Sequence, residues 1–464
     1  MDIETKHRNR ITTINQSGSR KWVYPKKPKG FYTNLRNIVA FLLIVVLVTV
    51  PFLKVNGNPL FMFNFPERIF FIFGIVFWPQ DLILLLLLFL SGFISIFLFT
   101  ALVGRVWCGW ACPQTIFMEN VFRKIEYFIE GNAAQQKKLN KGPWTGSKIF
   151  KKTIKQIIFF AISFCVGNLL LAWIIGVDKL YLIVTDDPRN HVSGLTMMIL
   201  FSGLFYFIFS WFREQACVLV CPYARLQSVL LDDDSLVVSY DYLRGEDRKS
   251  LGSRKKDPGE SGACIDCGQC VAVCPTNIDI RNGIQLECVN CTACIDACEN
   301  VMQKTFKESS LIGYASTNKL KGKNTIFLRT RTVTYAFLLS ILLSSFAYFL
   351  YQRPVLELMV NRQRGAVYQV LPDNKLSNHY VVQLFNKTVY KQNFDIKVTS
   401  HKDVKIILPG ATKSIEPAKA FKGHVIVILP KETRLNGRIN IEFAVTIDDK
   451  VIDTFKTTFL VPMK

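Results

Sequence analysis

Twelve of the thirteen cysteines fall into four groups whose spacing suits metal or redox chemistry. The densest stretch, CIDCGQCVAVCPTNIDIRNGIQLECVNCTACIDAC, holds C-x2-C-x2-C-x3-C twice: Cys264, Cys267, Cys270 and Cys274, then Cys288, Cys291, Cys294 and Cys298. A 4Fe–4S cube takes four thiolates; three come from one tight loop, and in two-cluster ferredoxins the fourth comes from the other motif. The expected ligation is therefore crossed. Cys264, Cys267, Cys270 and Cys298 hold one cluster, and Cys288, Cys291, Cys294 and Cys274 hold the second. C-x2-C pairs also bind zinc. Zinc, however, needs neither the third cysteine nor the x3-Cys-Pro tail, and this sequence has both. Pro275 follows Cys274, whereas Glu299 follows Cys298, a difference that affects loop shape and not ligand count.

Two further pairs, in RVWCGWACPQT and ACVLVCPYARLQ, repeat the pattern C-x3-C-P: Cys108 with Cys112, and Cys217 with Cys221. Each pair follows a long apolar run, and each would face one side of a helix if the helix were continuous. Thiolates are soft ligands that favour Cu(I), zinc or iron–sulfur centres. Three readings stand: a copper or other soft-metal site, a third iron–sulfur cluster, or small buried thiols that pack helices. The last suits the lone Cys165 and is a weaker account of two matched pairs.

These residues must be positioned by a membrane framework. Half of the 464 residues are hydrophobic, and they are clustered. Five runs approach the roughly 17–25 residues that cross a bilayer: Ile38–Leu53, Leu82–Val103, Ile157–Val177, Leu195–Phe212 and Val333–Tyr351. The stretch FNFPERIFFIFGIVFWPQD, near 61–80, is too short and suits a re-entrant or interfacial segment. No small-residue cleavage site follows the first run, so a removable signal peptide is not expected.

The net charge of +22 reflects topology rather than nucleic-acid binding. Lys and Arg lie beside the spans, Arg105, Arg123, Lys124, Lys148 and Lys152 among them, and no aromatic-basic platform accompanies them. The loops at 54–81 and 178–194 carry few. The positive-inside rule then puts the N-terminus and the cysteine block in the cytoplasm and the C-terminal domain outside. Cysteine-free sequence beyond Tyr351 agrees with thiols used for metal or redox work rather than for a secreted disulfide scaffold.

The expected order is a cytoplasmic arm (1–36), membrane helices 1–4 with the two C-x3-C-P pairs (37–232), a linker (233–262), a two-cluster ferredoxin domain (263–305), a basic linker (306–332), membrane helix 5 (333–351) and a β-domain (352–464). In that last region YVVQLFN, FDIKVTS, VKIILPG, HVIVILP, RINIEFAVTI and DTFKTTFLVP read as strands of an antiparallel sandwich of immunoglobulin type. NKT at Asn386–Thr388 is a chance match to a glycosylation sequon. His7, His191, His379, His401 and His424 are scattered, and no C-x-x-C-H or G-x-G-x-x-G occurs. Electrons must enter from a protein partner or from quinol.

GRVWCGWACPQT, CPYARLQSVLLDDDSLVVSYDYLRGEDR and CPTNIDIRNGIQLECVNCTACIDACENVM together resemble the cytochrome c oxidase accessory family, called CcoG, FixG or RdxA. FIFGIVFWPQD and VNRQRGAVYQV…FNKT resemble it too, so the likeness covers nearly the whole chain. CGWxCP alone is shared with quinol dehydrogenase subunits of the NapH and NosR kind. The resemblance implies a bacterial inner-membrane polyferredoxin with a periplasmic immunoglobulin-like domain. It implies a role in assembling a cbb-type haem–copper oxidase, by reducing Cu(II) to Cu(I) for its copper-delivery factors. Cys108, Cys112, Cys217 and Cys221 would face copper. Asn277 stands where glycine is expected, in a turn. The alternatives are a quinol-oxidising electron-transfer subunit and a redox-sensing assembly scaffold.

Overall fold

Among the described residues, five helices are long and apolar enough to cross a membrane: Phe31–Phe52, Pro79–Val103, Gly146–Ile175, Pro188–Phe212 and Thr330–Tyr351. The chain is a multi-pass membrane protein. The computed structural model describes residues 12–15, 17–256, 261–306, 308–323, 329–363, 365, 368–372, 375–401, 404–408, 414–429 and 437–462. His7, residues 257–260 of the first linker, 324–328 of the basic stretch, and the ends of VKIILPG and HVIVILP lie outside the described residues.

The chain forms two compact units. In the first, the opening helix begins at Phe31, well before the apolar run at Ile38, because a distant carboxylate caps it. Asp296 accepts from the amides of Tyr32 (3.1 Å) and Thr33 (2.7 Å) and from the Thr33 hydroxyl (2.5 Å). Those amides are among the orphan donors of a helix start, where the dipole favours negative charge. Gly30 leaves the room: a Cβ there would collide with Asp296. The third and fourth spans pack on the helices after the second through Phe122, whose ring is 4.8 Å from Phe159 and 4.7 Å from Phe209. The cysteine block has its own core of Val238, Ile280, Ile295, Met302 and Ile312. Two short strands, Val237–Tyr240 and Ile312–Ala315, pair antiparallel beside it, one from each segment expected as a linker. The apolar, β-branched runs LVVSY and LIGYA account for both.

In the second unit the stretch expected as re-entrant or interfacial is a three-stranded antiparallel meander, Phe61–Asn64, Ile69–Ile72 and Ile75–Phe77. Phe73 and Gly74, at φ +52° and +75°, make the two-residue turn that joins its last pair. The C-terminal region is an antiparallel sandwich. One sheet runs Lys405–Ile407, Ala420–Leu429, Leu376–Asn386, Leu356–Arg362; the other runs Asp395–Val398, Arg438–Ile447, Lys450–Leu460. Alternate residues such as Tyr380, Val382, Leu384, Val425, Val427 and Phe443 fill the space between them. Asn386 of the sequon is fully buried, its side-chain amide donating to the Tyr390 carbonyl at 2.8 Å.

A buried ion cluster ties the meander to the sandwich. Asp81 accepts from Lys387 (2.6 Å) and from Arg353 (3.1 Å), and Lys387 also meets Glu357 at 2.8 Å. Trp78 packs on Phe385 with ring centroids 5.1 Å apart.

Candidate functional site

Each C-x3-C-P pair stands at a broken helix rather than on one continuous face. The residue before a proline is driven out of the helical region, while proline itself suits the first position of a new helix. Cys112 (ψ 125°) and Cys221 (ψ 111°) are accordingly extended, and new helices begin at Pro113 and Pro222. In both pairs the second cysteine closes a widened turn, with amides bonding back five residues: Cys112 to the Trp107 carbonyl (2.9 Å) and Cys221 to that of Ala216 (2.8 Å). Widened π-type turns lie beside the pairs at Ile116–Phe122 and Ile208–Phe212 and carry Cys217 itself at Ala216–Val220, a backbone form concentrated at functional sites.

The breaks bring the two pairs together. Cys217 has Cys112, Cys221 and Cys108 as electrostatic neighbours, and Cys108 has Cys112 and Cys221. The buried Cys108 thiol donates to Gln227 Oε1 at 3.0 Å, on the helix that follows Cys221. Burial pushes Cys108 up to about 12 and raises Cys112 and Cys217 as well, so each would shed a proton to a bound metal. Among the described residues, no three His, Cys, Asp or Glu side chains close on a single ion.

The first pair also presses against the cysteine block. Gly109 lies where a Cβ would be 2.6 Å from the Val289 carbonyl oxygen and 2.7 Å from that of Asn290. Arg105 is 4% exposed. Its guanidinium donates to the carbonyls of Leu286, Cys288 and Ala224, joining the second cysteine loop to the Cys221 helix. It is a structural tie as well as one of the basic residues beside the spans. Arg36 donates to the Cys291 carbonyl at 2.7 Å, and Trp110 Nε1 to the Tyr314 hydroxyl at 3.1 Å.

Within the block the two loops repeat a backbone pattern. Asp266 and Gly268 are left-handed in the first, Asn290 and Thr292 in the second, and Asn277 takes φ +58° in its turn. The thiols sort into two neighbourhoods. Cys298 senses Cys264 and Cys267, and Cys270 senses Cys298. Cys288 senses Cys274 and Cys291, and Cys294 senses Cys291, Cys288 and Cys274, with Cys270 last. A cavity is lined by Cys270, Cys274, Cys288, Cys291 and Cys294. Burial lifts Cys274 to about 11 and Cys270 and Cys288 to about 12. Soft thiols gathered around one cavity fit an iron–sulfur group.

The "4Fe-4S dicluster domain" family matches residues 212–317, the "4Fe-4S binding domain" family residues 85–131, and the "IG-like fold at C-terminal of FixG" family residues 346–462. The chain is 31% identical to "Nitrogen fixation protein FixG" of Rhizobium meliloti, over 93% of this chain and 90% of that one. It is 30% identical to "Protein RdxA" of Cereibacter sphaeroides over 86% of each chain, and 31% identical to "Protein RdxB" of the same organism over 91% of each. The chain belongs to the FixG family. A crystal structure of a FixG-related protein from Vibrio parahaemolyticus aligns with 24% of this chain and 99% of that one, at 18% identity and a TM-score of 0.20. This FixG-family chain is a membrane-associated iron–sulfur electron-transfer protein with a C-terminal immunoglobulin-like domain.

Sequence reasoning passed over Gly109, Gln227 and Asp296 in this FixG-family chain. Gly109 had one signal, a glycine between two tryptophans inside a cysteine pair. Gln227 and Asp296 had none, since their partners lie 119 and more than 260 residues away.

Proposed function

We propose that this chain is a membrane-bound cupric reductase that supports assembly of a cbb-type cytochrome c oxidase by converting Cu(II) to Cu(I) for delivery. The observation that carries the reading is the gathering of Cys108, Cys112, Cys217 and Cys221 beside the Cys288–Cys291 loop. Cys264, Cys267, Cys270 and Cys298 would hold one 4Fe–4S cluster, and Cys274, Cys288, Cys291 and Cys294 a second. Such clusters, when bound, supply electrons one at a time.

The chain's own residues bias the copper chemistry. Sulfur is a soft donor that holds Cu(I) better than Cu(II), so a four-thiol site favours the reduced ion. Gln227 fixes the orientation of Cys108. Arg105 and Gly109 hold the thiol site close against the second cysteine loop, where a longer gap would slow electron arrival. Basic loops beside the spans support a cytoplasmic cysteine block and a periplasmic sandwich. The family resemblance supports the oxidase part of the reading.

The test is anaerobic mixing of dithionite-reduced protein with Cu(II), with a Cu(I)-specific chelator reporting product. Wild type should form Cu(I) as its iron–sulfur absorbance recovers. A variant with all four of Cys108, Cys112, Cys217 and Cys221 changed to serine should form little. Equal Cu(I) from both would remove the thiols from the reaction. Unchanged oxidase copper after deletion of the gene would remove the assembly role.

A further inference from the structure

A cavity of ≈ 800 Å³ opens in the first unit among the N-terminal arm, the helices after the second span, and adjacent ends of the third and fourth spans. Its lining is of two kinds. Trp22, Tyr206 and Trp211 offer flat rings, while Glu126, Glu130, Lys155 and Arg213 offer buried charge. None of those four charged side chains is more than 9% exposed.

Three cations share the two carboxylates. Lys155 Nζ is 3.3 Å from Glu126 and 2.9 Å from Glu130, Lys152 is 2.8 Å from Glu130, and Arg213 pairs with Glu126. Every cation in the lining therefore holds a carboxylate. An anionic headgroup would have to break these pairs and sit against two acids, which is costly in a buried setting. A neutral guest with polar ends would not.

The rings define that guest further. The Arg20 guanidinium lies 4.0 Å over the Trp22 ring and 5.5 Å from that of Trp211, so the two indoles are held near each other, while Arg213 lies 5.3 Å from the Trp22 ring and Phe207 stacks on Trp211 at 5.2 Å. Tyr206 donates to Gln156 Oε1 at 3.0 Å, and both residues line the cavity. On the fourth span Phe207 is 44% and Trp211 49% exposed, an apolar rim on a membrane helix. A flat ring would pack against the exposed edges of the indoles, ring oxygens would meet the Tyr206–Gln156 pair and the ion network, and an apolar tail would leave past Phe207.

The cavity wall also runs into the thiol site. The Arg213 carbonyl accepts from Gln114, two residues beyond Cys112, at 3.3 Å. The turn carrying Cys217 starts from the Arg213 and Glu214 carbonyls, which accept from Ala216 (3.1 Å) and Cys217 (3.2 Å).

We propose that this cavity binds a membrane hydroquinone and is where the protein takes up its reducing equivalents. The proposal rests on the copper-reduction reading for its overall reaction. One hydroquinone and two Cu(II) give one quinone, two Cu(I) and two protons. Both O–H bonds of the hydroquinone break, one electron goes to each copper, and the protons leave through the carboxylate–lysine network to water.

The experiment uses full-length protein in detergent, under anaerobic conditions. Equilibrium dialysis with duroquinone measures binding, and duroquinol with Cu(II) and a Cu(I) chelator measures the reaction. Saturable binding of about one duroquinone per chain is expected, with about two Cu(I) per duroquinol by electron balance. Trp211→Leu and Gln156→Ala should each weaken duroquinone binding roughly tenfold, the scale of one lost ring contact or hydrogen bond. Trp144→Phe, outside the cavity, should not weaken it, and wild-type iron content would show that the variants are folded. Absence of saturable binding by wild type, or binding unchanged in both cavity variants, would overturn the proposal. So would displacement of duroquinone by an anionic phospholipid at equal stoichiometry. Dithionite-reduced wild type that makes no Cu(I) would instead overturn the copper reading, with duroquinone binding still deciding the cavity.

Discussion

Replacing Gly109 with alanine should damage one end of the cysteine block and spare the other. The new Cβ would stand 2.6 Å and 2.7 Å from two backbone carbonyl oxygens, where ordinary contact begins at 3.4 Å. The Val289–Asn290 backbone must retreat by about 0.7–0.8 Å, and overpacking of this kind costs about 1–3 kcal/mol. Alanine also returns about 1 kcal/mol of helix propensity. The net loss of about 0–2 kcal/mol is small for the whole protein but falls on a loop bounded by Cys288 and Cys291. The assay is iron and acid-labile sulfide per chain, together with the electron paramagnetic resonance spectrum of the reduced protein. The expected result is a broadened or diminished signal from one cluster, iron content falling toward half, and a second signal unchanged. Gly109→Val should go further in the same direction. Full iron with a wild-type spectrum in both variants would refute the argument that this glycine sets the approach of the two elements.

Glu126 lies outside the spans and would be raised by burial, but Arg213 and Lys155 hold it down to about 2, against an ordinary 4.5. Its folded value is the lower one, so its stabilisation is present above about pH 4.5 and lost as pH falls toward 2, by roughly 3 kcal/mol. Thermal unfolding of wild type should therefore drop more steeply over that window than that of Glu126→Gln, and parallel curves would count against the network. Asp81→Asn removes the carboxylate shared by Arg353 and Lys387 and should cost about 3–5 kcal/mol, seen as easier proteolysis of the C-terminal domain. Asn277→Gly should leave stability within about 0.5 kcal/mol, while Asn277→Val, a branched side chain at φ +58°, should cost about 1–2 kcal/mol. Equal melting temperatures for those two variants would show that the turn tolerates either.

What could be read from the residues alone depended on the range of the interaction. Cysteine spacing is a local property, so both loops and both C-x3-C-P pairs stood out at once. The centres of the spans were legible from apolar content. Their ends were not, because the turn at Phe31 is held by Asp296 from the far end of the block. The sandwich announced itself through alternation, as in Tyr380, Val382 and Leu384. Short apolar runs such as IFFIFGIVF are ambiguous by pattern, and only the φ values at Phe73 and Gly74 turn that one into a meander. The helix breaks at Cys112 and Cys221 were implicit in the prolines after them, yet the convergence they produce depends on contacts with Gln227 and Arg105 across more than a hundred residues.

FIFGIVFWPQD and FNKT, far apart in the sequence, meet as Asp81 and Lys387. Only Gln352–Val355 separates the fifth helix from the first strand of the sandwich, and Arg353 within that short link is itself pinned to Asp81. The meander and the sandwich of this unit are thus clamped to each other by side chains and not joined by chain alone. A partner that pushed on the meander would be felt in the sandwich, because Asp81 cannot shift without drawing Arg353 and Lys387 after it.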